Sequence, residues 1–355
     1  MPKQHTARRP GRRNVLAGFA ALPSFGLSAA AAADPANEID LAGQWKIFRD
    51  RFMTLDGRII DTGNGGISHS EGQGWGMLFA TAAGDQVSFD LIHAWTTTHL
   101  SRPDDALHVW RYDPAAANPT ADQNNATDGD IFIAWALAKA AQRWTRPALA
   151  DAAASIALDV LAKLCVPVGD RLVLLPALSG FTSPGAVTLN PSYYIFPAFD
   201  VLAALAPSPH WDRLRSDGIA LIGKGVFGTW SLPPDWLAVD RASLALSPAP
   251  QWPPRFGYDA IRVPLWLSWA GLMPAALGAA FAAYWTQDAQ PFHPAWVDLK
   301  SGETAKYAAS SGMAAVQMVT MGAVPDLPDV TMANDYYSAS LTLLCLIAEV
   351  AKTGS

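Results

Sequence analysis

The sequence predicts an all-α fold, with two concentric layers of helices closed into an α/α barrel. Apolar residues recur at helical spacing in eleven successive segments. No regular alternation of strand and helix accompanies them, which argues against a Rossmann or TIM architecture. Many of the segments are also apolar around much of their circumference, as in Ile131-Phe132-Ile133-Ala134-Trp135-Ala136-Leu137-Ala138. Such a helix must be covered on more than one side, and a closed helical toroid covers it while absorbing residues 34–355 as one domain.

Taken in order, the chain opens with a targeting signal rather than with fold. Arg12-Arg13-Asn14-Val15-Leu16 is a twin-arginine pattern, the stretch from Val15 to Leu27 is apolar, and Ala31-Ala32-Ala33 precedes Asp34-Pro35 as an A-x-A-type cleavage site. The apolar stretch is too short and too interrupted by Gly and Pro to span a bilayer. Export is therefore expected, with cleavage near Ala33 and a periplasmic or secreted product.

Helical spacing then covers 39–54, 72–84, 87–98, 129–144, 147–165, 193–206, 211–223, 260–270, 273–285, 307–320 and 334–351. Two stretches break the rhythm, 168–192 and 225–257. Both are rich in Gly and Pro and contain runs such as Arg171-Leu172-Val173-Leu174-Leu175 and Trp236-Leu237-Ala238-Val239. They predict β-hairpin insertions on one rim, where function is usually built.

Composition narrows the function. Half of the residues are hydrophobic and 16% are charged, enough to bury a large core. The 14 Trp point to that core, to a surface that stacks flat ligands, or to both. Residues 1–33 hold five basic residues and no acid, which leaves 20 basic against 31 acidic residues beyond them. So acidic a body argues against a nucleic-acid partner. Cys165 and Cys345 lie in apolar, helix-like runs and read as buried free thiols, with one disulfide between them as the alternative. The seven His and two Cys show no metal-ligand spacing, and His69 reads as a neighbour of the site rather than a ligand.

Three motifs share one design, a carboxylate at a loop-to-helix junction. They are Ser70-Glu71-Gly72-Gln73-Gly74-Trp75-Gly76, Asn124-Asn125-Ala126-Thr127-Asp128-Gly129-Asp130 and Gly257-Tyr258-Asp259-Ala260-Ile261-Arg262-Val263-Pro264. Alternate glycines in the first let the backbone approach something bulky and leave Glu71 unobstructed. Singly, Ser70, Thr127, Asp128 or Asp259 could each be a helix cap. Together they suit another purpose. Inner helices of an α/α barrel gather their N-termini on one rim, so the carboxylates can converge on one cleft. Paired carboxylates among aromatic side chains are the apparatus of glycoside hydrolysis. Helix entrances favour ionised Asp128 and Asp259. Glu71, as the acid, would need its proton held by the charge of Asp128 and by desolvation against Trp75.

At these residues the chain resembles glycoside hydrolase family 8. The run from Ala126 through Trp144 fits the family signature, and the Ser-Glu-Gly and Tyr-Asp-Ala-x-Arg-Val elements lie before and after it in the right order. The resemblance implies an (α/α)6 barrel and an inverting endo-β-1,4-glucanase that acts on cellulose during its bacterial synthesis, needing no cofactor. Carried over, Glu71 matches the general acid, Asp259 the general base, and Asp128 the acid that binds and distorts the sugar. An inverting pair stands ~6.5–9.5 Å apart to admit water. Tyr193, Tyr258 and Tyr336 match cleft residues, Arg262 one that orients substrate or base, and Trp110 a platform for a glucosyl ring. Trp135, Trp144, Trp266 and Trp269 are assigned to the core, and Pro264 is expected to perturb the helix beside Asp259. The expected partner is a β-1,4-glucan, met by a monomer in transient association with a cellulose synthase complex. Two alternatives stand beside this reading: the same fold cutting chitosan, xylan or mixed-linkage glucan, and a non-catalytic glucan-binding or export component.

Overall fold

The computed structural model describes residues 39–287, 292–323 and 327–353; the twin-arginine leader and its cleavage site lie outside them. Eleven α-helices occur among the described residues, one for each segment predicted from spacing. They are α1 (Leu41–Phe52), α2 (Ser70–Ala83), α3 (Gln86–Leu100), α4 (Thr127–Trp144), α5 (Pro147–Lys163), α6 (Phe196–Leu205), α7 (Pro209–Lys224), α8 (Arg262–Trp269), α9 (Ala275–Trp285), α10 (Ser311–Met321) and α11 (Tyr336–Thr353). Local chemistry sets their ends. Asp40 caps α1 by accepting from Gly43 N at 2.8 Å, Asp85 caps α3 through Ser88 N, and Ser310 caps α10 through Met313 N. Gly84 and Gly322 close α2 and α10 at φ 78° and 74°, the left-handed conformation that glycine adopts without strain.

The helices α2, α4, α6, α8, α10 and α11 form a ring in which each packs on the next and α11 returns to α2. Outside it, α1 packs on α2 and α11, α3 on α2, α5 on α4 and α6, α7 on α6, and α9 on α10. A short 3-10 turn, Val330–Met332, packs against α1 and α11 where a sixth outer helix would fall in the chain. Nearly every side chain of α2 and α4 is buried, as their all-round apolarity requires. The rings of Tyr336, Trp75, Phe132 and Trp266 fill the interior as a chain of contacts between 5.6 and 6.2 Å.

The alternate glycines of α2 serve this packing. A Cβ on Gly74 would stand 2.7 Å from the Phe132 Cβ, and one on Gly76 2.8 Å from Ile59. The bulky neighbour is therefore protein, chiefly α4, and it draws the entrances of α2 and α4 together. Pro264 does not disturb α8. It occupies the third helical position, where the backbone N–H has no partner to lose.

Among the described residues, four small sheets decorate the barrel. Strands β1 (Ser68–His69) and β2 (Arg111–Tyr112) are antiparallel, with His69 opposite Arg111. Strands β3 (Cys165–Val168) and β4 (Arg171–Leu174) form a hairpin that turns at Gly169, φ 62°. The sequence predicted β-hairpin insertions in the two irregular stretches; each has one, and the two stretches are in addition joined to each other. Strand β5 (Ala186–Leu189) of the first stretch pairs with β6 (Leu237–Asp240) of the second, which pairs with β7 (Leu246–Pro248). Strands β8 (Arg255–Phe256) and β9 (Val297–Asp298) make the last pair.

Both cysteines are free. Cys345 is buried in α11, but Cys165 opens β3 and is half-buried, because α5 ends at Lys163 and its apolar run does not carry the helix further. Trp135 and Trp266 are buried, whereas Trp144 and Trp269 are half-buried against the core. Among the described residues no helix is long and apolar enough to cross a membrane.

Candidate active site

Glu71 lies in the first turn of α2, Asp128 in the first turn of α4, and Asp259 three residues before α8. None of the suspected capping residues caps a helix. His69 caps α2, its Nδ1 accepting from Gly72 N at 3.1 Å. Ala126 precedes α4 with no side-chain cap, and Thr127 instead donates to Leu175 O at 2.6 Å. No side chain caps α8. The carboxylates are left to meet one another.

They meet on Arg262. This side chain, at the first position of α8, is 3% exposed. Its Nη1 donates to Glu71 Oε1 and lies 3.7 Å from Asp128 Oδ2, while Nη2 donates to Asp259 Oδ1 at 2.7 Å and to Ser192 Oγ at 2.9 Å. The fork geometry of a guanidinium lets one cation serve groups from several directions. Ser192 is itself held by Asn190, whose Oδ1 accepts from the serine Oγ at 2.7 Å. Trp75 is fully buried and lies beneath Arg262, with the guanidinium carbon 5.9 Å from its ring centroid. Trp75, expected to desolvate Glu71, lies against the guanidinium that binds Glu71, and burial lowers the pKa of that cation.

Electrostatics separate the acids. Burial pushes the Asp128 carboxyl up to about 7, against the Gly129 N–H that its Oδ1 accepts at 2.8 Å and against nearby His69. Asp259 keeps 31% of its side-chain exposure. Its carboxyl is nonetheless raised well above the usual range by burial of its surroundings and then by the charges of Asp235 and Asp128, with donors on Asn190 and Trp236 in opposition. Burial also raises the Tyr193 hydroxyl, which donates to Asp128.

A pocket of about 150 Å³ opens beside these groups, lined by His69, Ser70, Glu71, Trp110, Ala126, Asp128 and Tyr193. Trp110 is half-buried and held in place twice: its carbonyl accepts from Ser70 N at 3.0 Å, next to the β1–β2 pair, and its Nε1 donates to Asp122 at 2.7 Å. Tyr258, 48% exposed, lies on the other side of Asp259, with its hydroxyl 3.2 Å from that of Tyr307.

Tyr336 is placed elsewhere than expected. It is 1% exposed and packs beneath the site against Phe48, Phe52, His69 and Trp75. Its neighbour Tyr337 is the residue near the carboxylates: it donates to Tyr258 O, and burial raises its hydroxyl, with Arg262 in opposition and the charge of Asp259 adding to the rise. Sequence reasoning also missed Asp235, which has no motif of its own. Ser192 lay unremarked within the quoted Asn190–Tyr194 run. Among the described residues no cluster of His, Cys, Asp and Glu could hold a metal ion.

Comparison with known proteins places this constellation. Residues 14–351 match the family described as glycosyl hydrolases family 8. A probable endoglucanase of Novacetimonas hansenii is 46% identical over 327 residues, spanning 92% of this chain and 95% of its own length. An endoglucanase of Cellulomonas uda is 42% identical over 278 residues, spanning 78% and 77%. The solved structure of an endo-beta-1,4-glucanase from Acetobacter xylinum superposes with a TM-score of 0.86 at 46% identity, covering 88% of this chain and 99% of that one. With a match over almost its whole length and a ring of helices of the same (α/α)6 kind, the chain belongs to glycosyl hydrolase family 8.

Proposed function

We propose that the protein is an inverting endo-β-1,4-glucanase. The observation that carries this reading is the convergence of Glu71, Asp128 and Asp259 on Arg262, beside a pocket walled by Trp110 and Tyr193. Relatives named as endoglucanases support the choice of substrate.

In the reaction, Glu71 donates a proton to the glycosidic oxygen as the bond from that oxygen to C1 breaks. Asp259 takes a proton from a water that attacks C1 from the opposite face, and the product has the inverted configuration. Arg262 donates to one oxygen of Glu71 and leaves the other to carry the proton. The same cation stabilises the carboxylate of Asp259 before the step and that of Glu71 after it. Asp128 and Tyr193 hold and distort the ring at the cleavage point. A purely binding groove would need no such acid and base.

We further propose that the protein is exported through its twin-arginine leader to the periplasm or beyond it. There it trims cellulose as the polymer is made, in transient contact with the synthase and as a monomer.

Reducing-end release from carboxymethylcellulose, set against chitosan, xylan and mixed-linkage glucan, tests the substrate; preference for any of the last three overturns the cellulase reading. Glu71→Gln should lower turnover about 10³-fold while polymer binding persists. Absence of cleavage by the unaltered protein would leave only the binding role.

A further inference from the structure

Asp235 belongs to no motif, yet one of its oxygens organises the loop that carries the base. Oδ1 accepts from three backbone amides at once, Gly257 N at 3.1 Å, Asp259 N at 3.1 Å and Ala260 N at 2.8 Å. Its own backbone N–H donates to Arg255 O at 2.7 Å, so the segment entering β6 is bound on both sides to the segment entering α8. Gly257 marks how close this approach is, since a Cβ there would stand 2.9 Å from Asp235 Oδ2. Three amides directed at a single carboxylate oxygen form a fixed turn, and that turn is the only backbone leading to Asp259 from its N-terminal side.

We propose that Asp235 is a positioning residue for the reaction described above, fixing where Asp259 stands and the pH range in which it accepts a proton. The inference rests on Asp259 being the base. The backbone clamp supplies the first effect: without it, the Gly257–Ala260 turn loses its common acceptor, and the base loses its alignment with the attacking water, which general-base catalysis requires. Charge supplies the second. Asp259 is faced by Arg262 of α8, Asp128 of α4, Tyr193 of the 3-10 turn Pro191–Tyr193, Tyr337 of α11 and Asp235 itself. Of these, Asp235 contributes the largest like-charge effect on Asp259; burial raises its own carboxyl to about 6, with the three amides and then Arg255 in opposition, so it carries charge above that pH. A negative neighbour keeps the proton affinity of a base high, nearer to the working pH at which a general base is most effective.

The test is the pH profile of kcat/KM on carboxymethylcellulose for the intact protein and two variants. Asp235→Asn keeps an acceptor oxygen for the amides and removes the charge. Its acid limb should move to lower pH by roughly one unit, its alkaline limb should stay, and its plateau should remain within about tenfold of the unaltered protein. Asp235→Ala removes both functions and should lower the plateau kcat about 100-fold with little change in KM. An Asn variant whose acid limb coincides with that of the unaltered protein overturns the proposal, as does an Ala variant that keeps full turnover. Should Asp235→Ala not fold, the Asn profile decides alone. Failure of the functional reading is separate and shows first, as absence of cleavage by the unaltered protein.

Discussion

Arg262 and Asp259 stand three residues apart at the entrance of α8, joined by a 2.7 Å bond from Nη2 to Oδ1, while the other amino group of the same guanidinium reaches across to Glu71 on α2. The proposed acid and base are thereby tied to one cation. Replacing it alters both at once. Arg262→Met should lower kcat about 100-fold, ~2.7 kcal/mol. It should also move the acid limb of kcat/KM to higher pH, because the lost cation had favoured ionised Asp259. This is the opposite of the displacement expected for Asp235→Asn. Arg262→Lys keeps the charge but loses the fork, so its limb should stay while its turnover falls about tenfold.

Trp110 presents a ring to the pocket while its own Nε1 is engaged by Asp122. As the proposed platform for a glucosyl ring it would bind without taking part in the bond-breaking step. Trp110→Ala should raise KM about tenfold, ~1.4 kcal/mol, and leave kcat within about twofold. Steady-state kinetics on cello-oligosaccharides separate the two constants.

Gly129 lies against the residue that matters most on the neighbouring helix. A Cβ there would stand 2.7 Å from the backbone N of Glu71. Gly129→Ala should destabilise the fold by about 1–3 kcal/mol in urea unfolding. Turnover should fall far more than the folded fraction does, because α2 must shift and Glu71 shifts with it.

The two thiols should be inert in the native protein. Burial pushes the Cys165 thiol up to about 12 and raises that of Cys345 well above the usual range, so neither supplies thiolate at neutral pH. Ellman's reagent should find no reactive thiol before denaturation and two after it, and added reductant should leave the melting temperature unchanged.

The sequence made the helices legible because their apolar spacing is local information. The three carboxylates were legible for the same reason, each sitting at the entrance of a strongly patterned helix. What depended on contact between distant segments was hidden. Strands β5 and β6 lie on either side of two helices, and nothing in either run names the other as its partner. Asp235 acts through backbone amides, which carry no side-chain signature. The tyrosine doublets show the limit most clearly. At 193–194 the first residue lines the pocket and the second is buried, while at 336–337 the first is buried and the second is half-buried near Asp259. The first doublet closes a 3-10 turn and the second opens an α-helix, so the same two letters point their rings differently.

The ring of inner helices has its seam between α11 and α2, its last and first members in chain order. A growing polypeptide can assemble Glu71, Asp128 and Asp259 in sequence, yet it cannot shut the wall that brings Tyr337 beside them until α11 has been made. Competence therefore waits on that one eighteen-residue helix, and its loss would leave an open horseshoe with the acids still aboard.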